Sequence, residues 1–134
     1  MRTVATLRII GDDLIPDEIS KILGCEPSRA TFKGQVIRGK TTGHERVART
    51  GSWHIETDNR VPQDLNGQIL EILGRLNPDM DVWAFLADRF RIDVFCGLFM
   101  ASRSEGLTLS PQVLLALGAR RIELDLCLYD PTDD

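Results

Sequence analysis

The sequence is poor in nearly everything from which reactive sites are built. It has two histidines, His44 and His54, and three scattered cysteines, Cys25, Cys96 and Cys127, none at the close spacing of a zinc site. An odd number of unpaired thiols does not describe a secreted disulfide framework, so a reducing, cytoplasmic setting is expected. There is no Gly-x-Ser-x-Gly elbow to support acyl transfer, and Gly34, Gly39 and Gly43 lack the strand-to-helix placement of a phosphate or dinucleotide loop. The apolar stretch after Arg2 is broken by Arg8 and stops at Gly11-Asp12-Asp13, too short for a signal peptide or a membrane span. Strong charge of one sign is also missing: a net of -4 confers solubility and argues against a surface built wholly for nucleic acid.

What remains is ordinary globular material. With 43% apolar and 27% charged residues over 134 positions, the chain is expected to fold as a single domain, residues 1–134, needing neither metal nor cofactor. Two segments repeat one pattern. Leu14-Ile15-Pro16 to Gly24 and Leu109-Ser110-Pro111 to Gly118 each carry Pro at a first helical position, an apolar stripe, and Gly where the helix should stop. Between them, Leu65, Ile69, Ile72, Leu73 and Leu76 predict a helix from about Asp64 to Leu76, and Asn77-Pro78-Asp79 then starts a short one packed by Val82, Phe85, Leu86 and Trp83. Strict alternation marks strands at Thr3–Ile10, Ser52–Thr57, Ile92–Met100 and Ile122–Leu128, and a further strand is expected over Ala30–Ile37. The Gly- and Thr-rich stretch after it reads as a loop.

Each of these strands has one apolar side and one charged side. The fold class expected is therefore α+β: two layers, a mainly antiparallel or mixed sheet with helices on one face. The order of elements is that of a ferredoxin-like unit with a C-terminal helix and strand appended.

Two places deserve weighing as sites. The first is the basic stretch from Arg29 to Arg60, where Lys33, Arg49 and Trp53 are the best candidates for holding a phosphate or carboxylate, the cations neutralising it and the indole offering a stacking surface. A solvated loop is the simpler reading, as a packed indole is for Trp53. The second is the charged sheet face, where Phe95, Phe99 and Tyr129 share the phase of Arg91, Asp93, Glu123 and Asp125; aromatics rimmed by charge resemble an interface. Asp12-Asp13 has no third ligand, so no metal site is expected.

The chain resembles a bacterial family catalogued as domain of unknown function 4279. The likeness rests on Ala5-Thr6-Leu7-Arg8-Ile9 leading to Gly11-Asp12-Asp13-Leu14, on Pro16-Asp17-Glu18-Ile19, Pro27-Ser28-Arg29-Ala30, Lys33-Gly34 and Thr50-Gly51-Ser52-Trp53, and on Leu107-Thr108-Leu109-Ser110-Pro111 through Leu124-Asp125-Leu126. It implies no activity, cofactor or catalytic residue. The functional expectation is accordingly a non-enzymatic interaction or binding module, meeting another protein or a second copy of itself (a homodimer) through the polar sheet face or an edge strand. The alternative is a small-ligand binder that captures a phosphate or carboxylate at the basic stretch. Neither a membrane nor nucleic acid is an expected partner.

Overall fold

The computed structural model describes residues 1–131. Its elements run β1 (Arg2–Gly11), α1 (Pro16–Leu23), β2 (Arg29–Thr31), β3 (Val36–Arg38), β4 (Glu45–Val47), β5 (Gly51–Glu56), α2 (Leu65–Gly74), α3 (Met80–Arg89), β6 (Arg91–Phe99), α4 (Pro111–Ala119) and β7 (Glu123–Tyr129). Five strands form one sheet in the order β2-β5-β1-β6-β7, and β3 pairs with β4 in a separate two-stranded hairpin. β1 lies in the middle, antiparallel to β5 and to β6; β2 is antiparallel to β5, and β7 runs parallel to β6. A parallel neighbour needs a crossover, and α4 supplies it.

Alternation dictates the layering. Thr3, Ala5, Leu7 and Ile9 of β1 are fully buried on one face, joined by Trp53 and Ile55 of β5 and by Ile92, Val94, Cys96 and Leu98 of β6. Ile19 and Leu23 of α1, Leu65 and Ile69 of α2, Trp83 and Leu86 of α3, and Val113 and Leu117 of α4 close over that face in one apolar cluster. The two families of helix signal both hold at their starts. Pro16 occupies the first turn of α1, and Ser110 caps α4 by accepting from the Val113 N–H at 3.2 Å.

Several details differ from the sequence expectation. The strand expected over Ala30–Ile37 is two strands, β2 and β3, because the chain turns at Phe32–Gln35, where Gly34 has φ 91° and its N–H donates to the Ala48 carbonyl. What reads as a loop contains β4, which pairs with β3 from Val36↔Val47 to Arg38↔Glu45. Asp79, not Asn77, caps α3 by accepting from the Asp81 N–H at 2.9 Å. Phe85 is 46% exposed instead of packed, with the Arg89 guanidinium 5.1 Å from its ring. Gly118 lies inside α4, not at its end; the chain leaves the helix at Arg121, which takes the left-handed conformation with φ 57°.

A long polar side chain is buried among the apolar residues of α2. Gln68 of α2 is fully buried, and its side chain satisfies groups on two strand ends. Its Oε1 accepts from the Thr3 hydroxyl at 2.7 Å, and its Nε2 donates to the carbonyls of Thr3 and Asp58, each at 2.9 Å, and to Thr57 Oγ1 at 3.2 Å. Replacing it by an apolar residue of similar length leaves the buried hydroxyl and carbonyl of Thr3 without that partner, and removes the contact to the Asp58 carbonyl at the surface. Gln68→Leu is expected to lower the unfolding free energy by about 2–4 kcal/mol with an unchanged denaturant slope, measured by urea unfolding. A variant as stable as the parent contradicts this role.

Candidate functional site

The face of the sheet away from the helices is built around Arg8. From the middle of β1, its Nε and Nη2 reach both oxygens of Asp93 at 2.8 and 2.7 Å, and Nη2 also lies 3.4 Å from Asp125. Asp93 is 5% exposed, so this two-point contact is what compensates a buried carboxylate. The register aligns Arg8 with His54 on one side and Asp93 on the other, and Phe95 with Asp125. The structure thus brings Phe95, Phe99 and Tyr129 onto one face, as the strand phase requires. Phe99 and Tyr129 stack with centroids 4.5 Å apart and nearly parallel planes, the Arg2 guanidinium sits 4.0 Å above Phe99, and that of Arg8 lies 4.8 Å from Phe95. All three rings are half-buried, shielded in part by this chain's own arginines.

The large exposed apolar side chains lie elsewhere. Leu126 and Leu128 of β7 are 41% and 60% exposed although they share the core phase with Leu124. They are uncovered because β7 is the last strand of the sheet and has a partner only on its β6 side. Leu114 and Leu115 of α4, the helix that packs on β7, are exposed as well. Sequence reasoning placed the β7 leucines in the core and missed this surface. The signal was present in Val113-Leu114-Leu115-Ala116-Leu117, a run too apolar for a helix with one buried stripe.

The residues proposed as an anion site are not brought together. Trp53 is fully buried and its Nε1 donates to Ser20 Oγ at 3.0 Å, which leaves no ring face for a ligand and corrects its candidacy as a stacking surface. Lys33 is paired with Asp12 at 3.3 Å. The Asp12 carboxyl is held below the usual carboxylate range by the Thr50 hydrogen bond and then by Lys33. Only Arg49 lines a cavity, one of about 610 Å³ between β2, β5 and the segment after β4, and it does so with Arg29, Arg46 and His54. Those three were within the basic stretch but nothing in their spacing marked them out. A short ladder of β2 on β5 puts Arg29 opposite His54, while β4 carries Arg46 and the segment after it carries Arg49.

His54 is neutral over most of the accessible pH range. Burial, then the charges of Arg29 and Arg8, push its pKa down to about 4 against the opposing pull of Asp93 and Glu56. Its Nδ1 is buried and has no hydrogen-bond partner among the described residues. Cys96 is buried beneath the sheet, where desolvation pushes its thiol up to about 12 and makes it unreactive. Among the described residues, no group of three or more His, Cys, Asp or Glu could hold a metal ion, and no helix is long and apolar enough to cross a membrane.

Residues 1–131 match the family described as a domain of unknown function, DUF4279. The chain belongs to that family. No curated protein and no solved structure matches it. Two of the segments that carry the family likeness meet in space: Gly51 is opposite Gly11, and a side chain at position 51 would strike the carbonyl oxygens of Gly11 and Leu14 at 2.7 and 2.8 Å.

The His54 environment has a measurable consequence. Between the unfolded value of about 6.5 and the folded value of about 4, the unfolded chain binds a proton that the folded chain does not, so this residue's share of stability is lost as pH falls through that window. The share is on the order of 1 kcal/mol once screening of a half-exposed ring is allowed for. His54→Gln is expected to flatten the pH dependence of the melting temperature between those limits, and an identical profile for parent and variant contradicts it.

Proposed function

We propose that this chain is a non-enzymatic association module whose partner is a second copy of itself, joined β7 to β7. The observation that carries the reading is an edge strand of seven residues with two leucines exposed where alternation should bury them. Antiparallel pairing centred on Leu126 is consistent with the sequence of the strand. It sets Leu124 against Leu128 and Leu126 against itself on one face, and Glu123 against Tyr129 and Asp125 against Cys127 on the other. No two like charges then face each other, and the leucines form a continuous strip across the junction. The stacked pair of Phe99 and Tyr129 lies beside it, so the face anticipated from sequence contributes the flank of the contact, not its centre.

We also read β1, α1, β2, β5, α2 and β6 as a ferredoxin-like unit, with α4 and β7 as its extension. The neighbour order β2-β5-β1-β6, antiparallel throughout, supports that reading. On it, the extension is the part that provides the contact surface.

Sedimentation across a wide concentration range is expected to show a species of twice the chain mass. Leu128→Lys, alone or with Leu126→Lys, is expected to leave a monomer of unchanged circular dichroism, whereas Phe95→Glu weakens association little. A parent chain that stays monomeric at every concentration, or a Phe95→Glu variant that dissociates while Leu128→Lys does not, overturns the arrangement.

A further inference from the structure

The cavity at the opposite edge of the sheet is strongly and singly charged. Arg29, Arg46 and Arg49 line it, and none of its lining residues is a carboxylate. Among the described residues, Arg46 and Arg49 form no ion pair, and Arg29 has only Glu56, at the long distance of 3.9 Å. Two other arginines are differently placed: Arg8 is committed to Asp93, and Arg38, on the β3–β4 hairpin, to Glu45 at 2.7 Å. Cations that line one cavity without a carboxylate among its walls repel one another, and a fold tolerates them most readily where an anion completes the set.

The walls narrow the choice of anion. Ala30, Val47 and Ala48 supply an apolar lining beside the guanidinium groups, and the volume of about 610 Å³ lies in the range of small-molecule sites. A carboxylate is served fully by one bidentate arginine. A phosphate monoester offers three acceptor oxygens and close to two negative charges, for which the three arginines lining this cavity supply donors and charge. His54, neutral on the cavity wall, adds no competing charge.

The cavity is also held open by the backbone. The N–H groups of Gly34 and Ala48 donate to the Ala48 and Gln35 carbonyls at 2.9 and 2.8 Å, tying the segment between Arg46 and Arg49 to the turn that joins β2 to β3. The arginine-bearing strand end is therefore positioned before any ligand arrives.

We propose that this cavity binds a phosphate monoester with a small apolar body, its phosphoryl oxygens held by Arg29, Arg46 and Arg49. The site lies at the β2 edge, remote in the sheet order from β7, so it stands independently of the association reading.

Titration calorimetry of the intact chain with phenyl phosphate, inorganic phosphate and benzoate tests it. Phenyl phosphate is expected to bind most tightly, with benzoate about tenfold weaker or more, since it brings one charge and two oxygens. The double variant Arg46→Gln with Arg49→Gln alters only exposed side chains and is expected to lose affinity for phenyl phosphate by about tenfold or more. Lys40→Gln, an exposed cation on the same hairpin outside the cavity, is expected to bind as the parent does, and so is Leu128→Lys. Absence of binding by phenyl phosphate, benzoate binding as tightly, full affinity in the double variant, or an equal loss in Lys40→Gln each overturns the site. Stronger competition from a single-stranded RNA oligonucleotide than from inorganic phosphate also overturns it, in favour of a polyanion surface.

Discussion

Everything in this molecule is hung on the inward row of β1. Thr3, Ala5, Leu7 and Ile9 lie at the centre of the sheet with no exposure at all, and β5 and β6 pair alongside them while the helices close over that face. The row is apolar except at Thr3, and that exception fixes the geometry: its hydroxyl and carbonyl both engage Gln68, locking α2 in rotation and height against the strand. Apolar contact alone would let a helix slide along the sheet by small steps at little cost. A buried amide whose donors and acceptor must all be met permits one position.

The two faces of the sheet obey different physics. Under the helices, burial is won by area; on the open side, the centre is held by the Arg8 contact with Asp93, which works because the guanidinium satisfies both carboxylate oxygens at once. That choice also explains why the aromatic residues there are less available than their strand phase implies. Arg2 and Arg8 lie over Phe99 and Phe95, so the chain spends its own cations on its own rings. Surface that is both apolar and uncovered is displaced to β7, where sheet order and not composition decides exposure.

Strand phase and two helix starts were readable from the residues because both depend on near neighbours: alternation through β1 and β6, and Pro16 and Pro111 at first helical positions, are local signals, whereas the cap of α3 and the end of α4 were misread. Gln68 was not read, although it falls on the same stripe as Leu65, Ile69 and Ile72, because periodicity counts apolar residues and passes over a polar one whose partners are far away in sequence. The hairpin of β3 and β4 was missed for the opposite reason: three-residue strands flanked by glycine and threonine carry almost no periodic signal. The basic stretch was noticed as a whole, but its members could not be sorted. Lys33 finds Asp12, Trp53 finds Ser20, and Arg29 lines one cavity with Arg46 and Arg49 only once β2 has paired with β5 and the β3–β4 hairpin has formed. Exposure of Leu126 and Leu128 follows from being outermost, which is a property of the assembled sheet and of no segment of it.

The sheet ends differently on its two sides: three residues of β2 on one, beginning at Arg29, and seven of β7 on the other. A strand that short, bearing a charge and followed at once by a turn, offers poor template for a newcomer. Growth at one margin only, by a contact in which each copy presents the same strand, uses up its own valence: the second molecule occupies the site that the first one offered. Assembly by this route is self-terminating, and a filament of indefinite length is denied the complementary margin it would need.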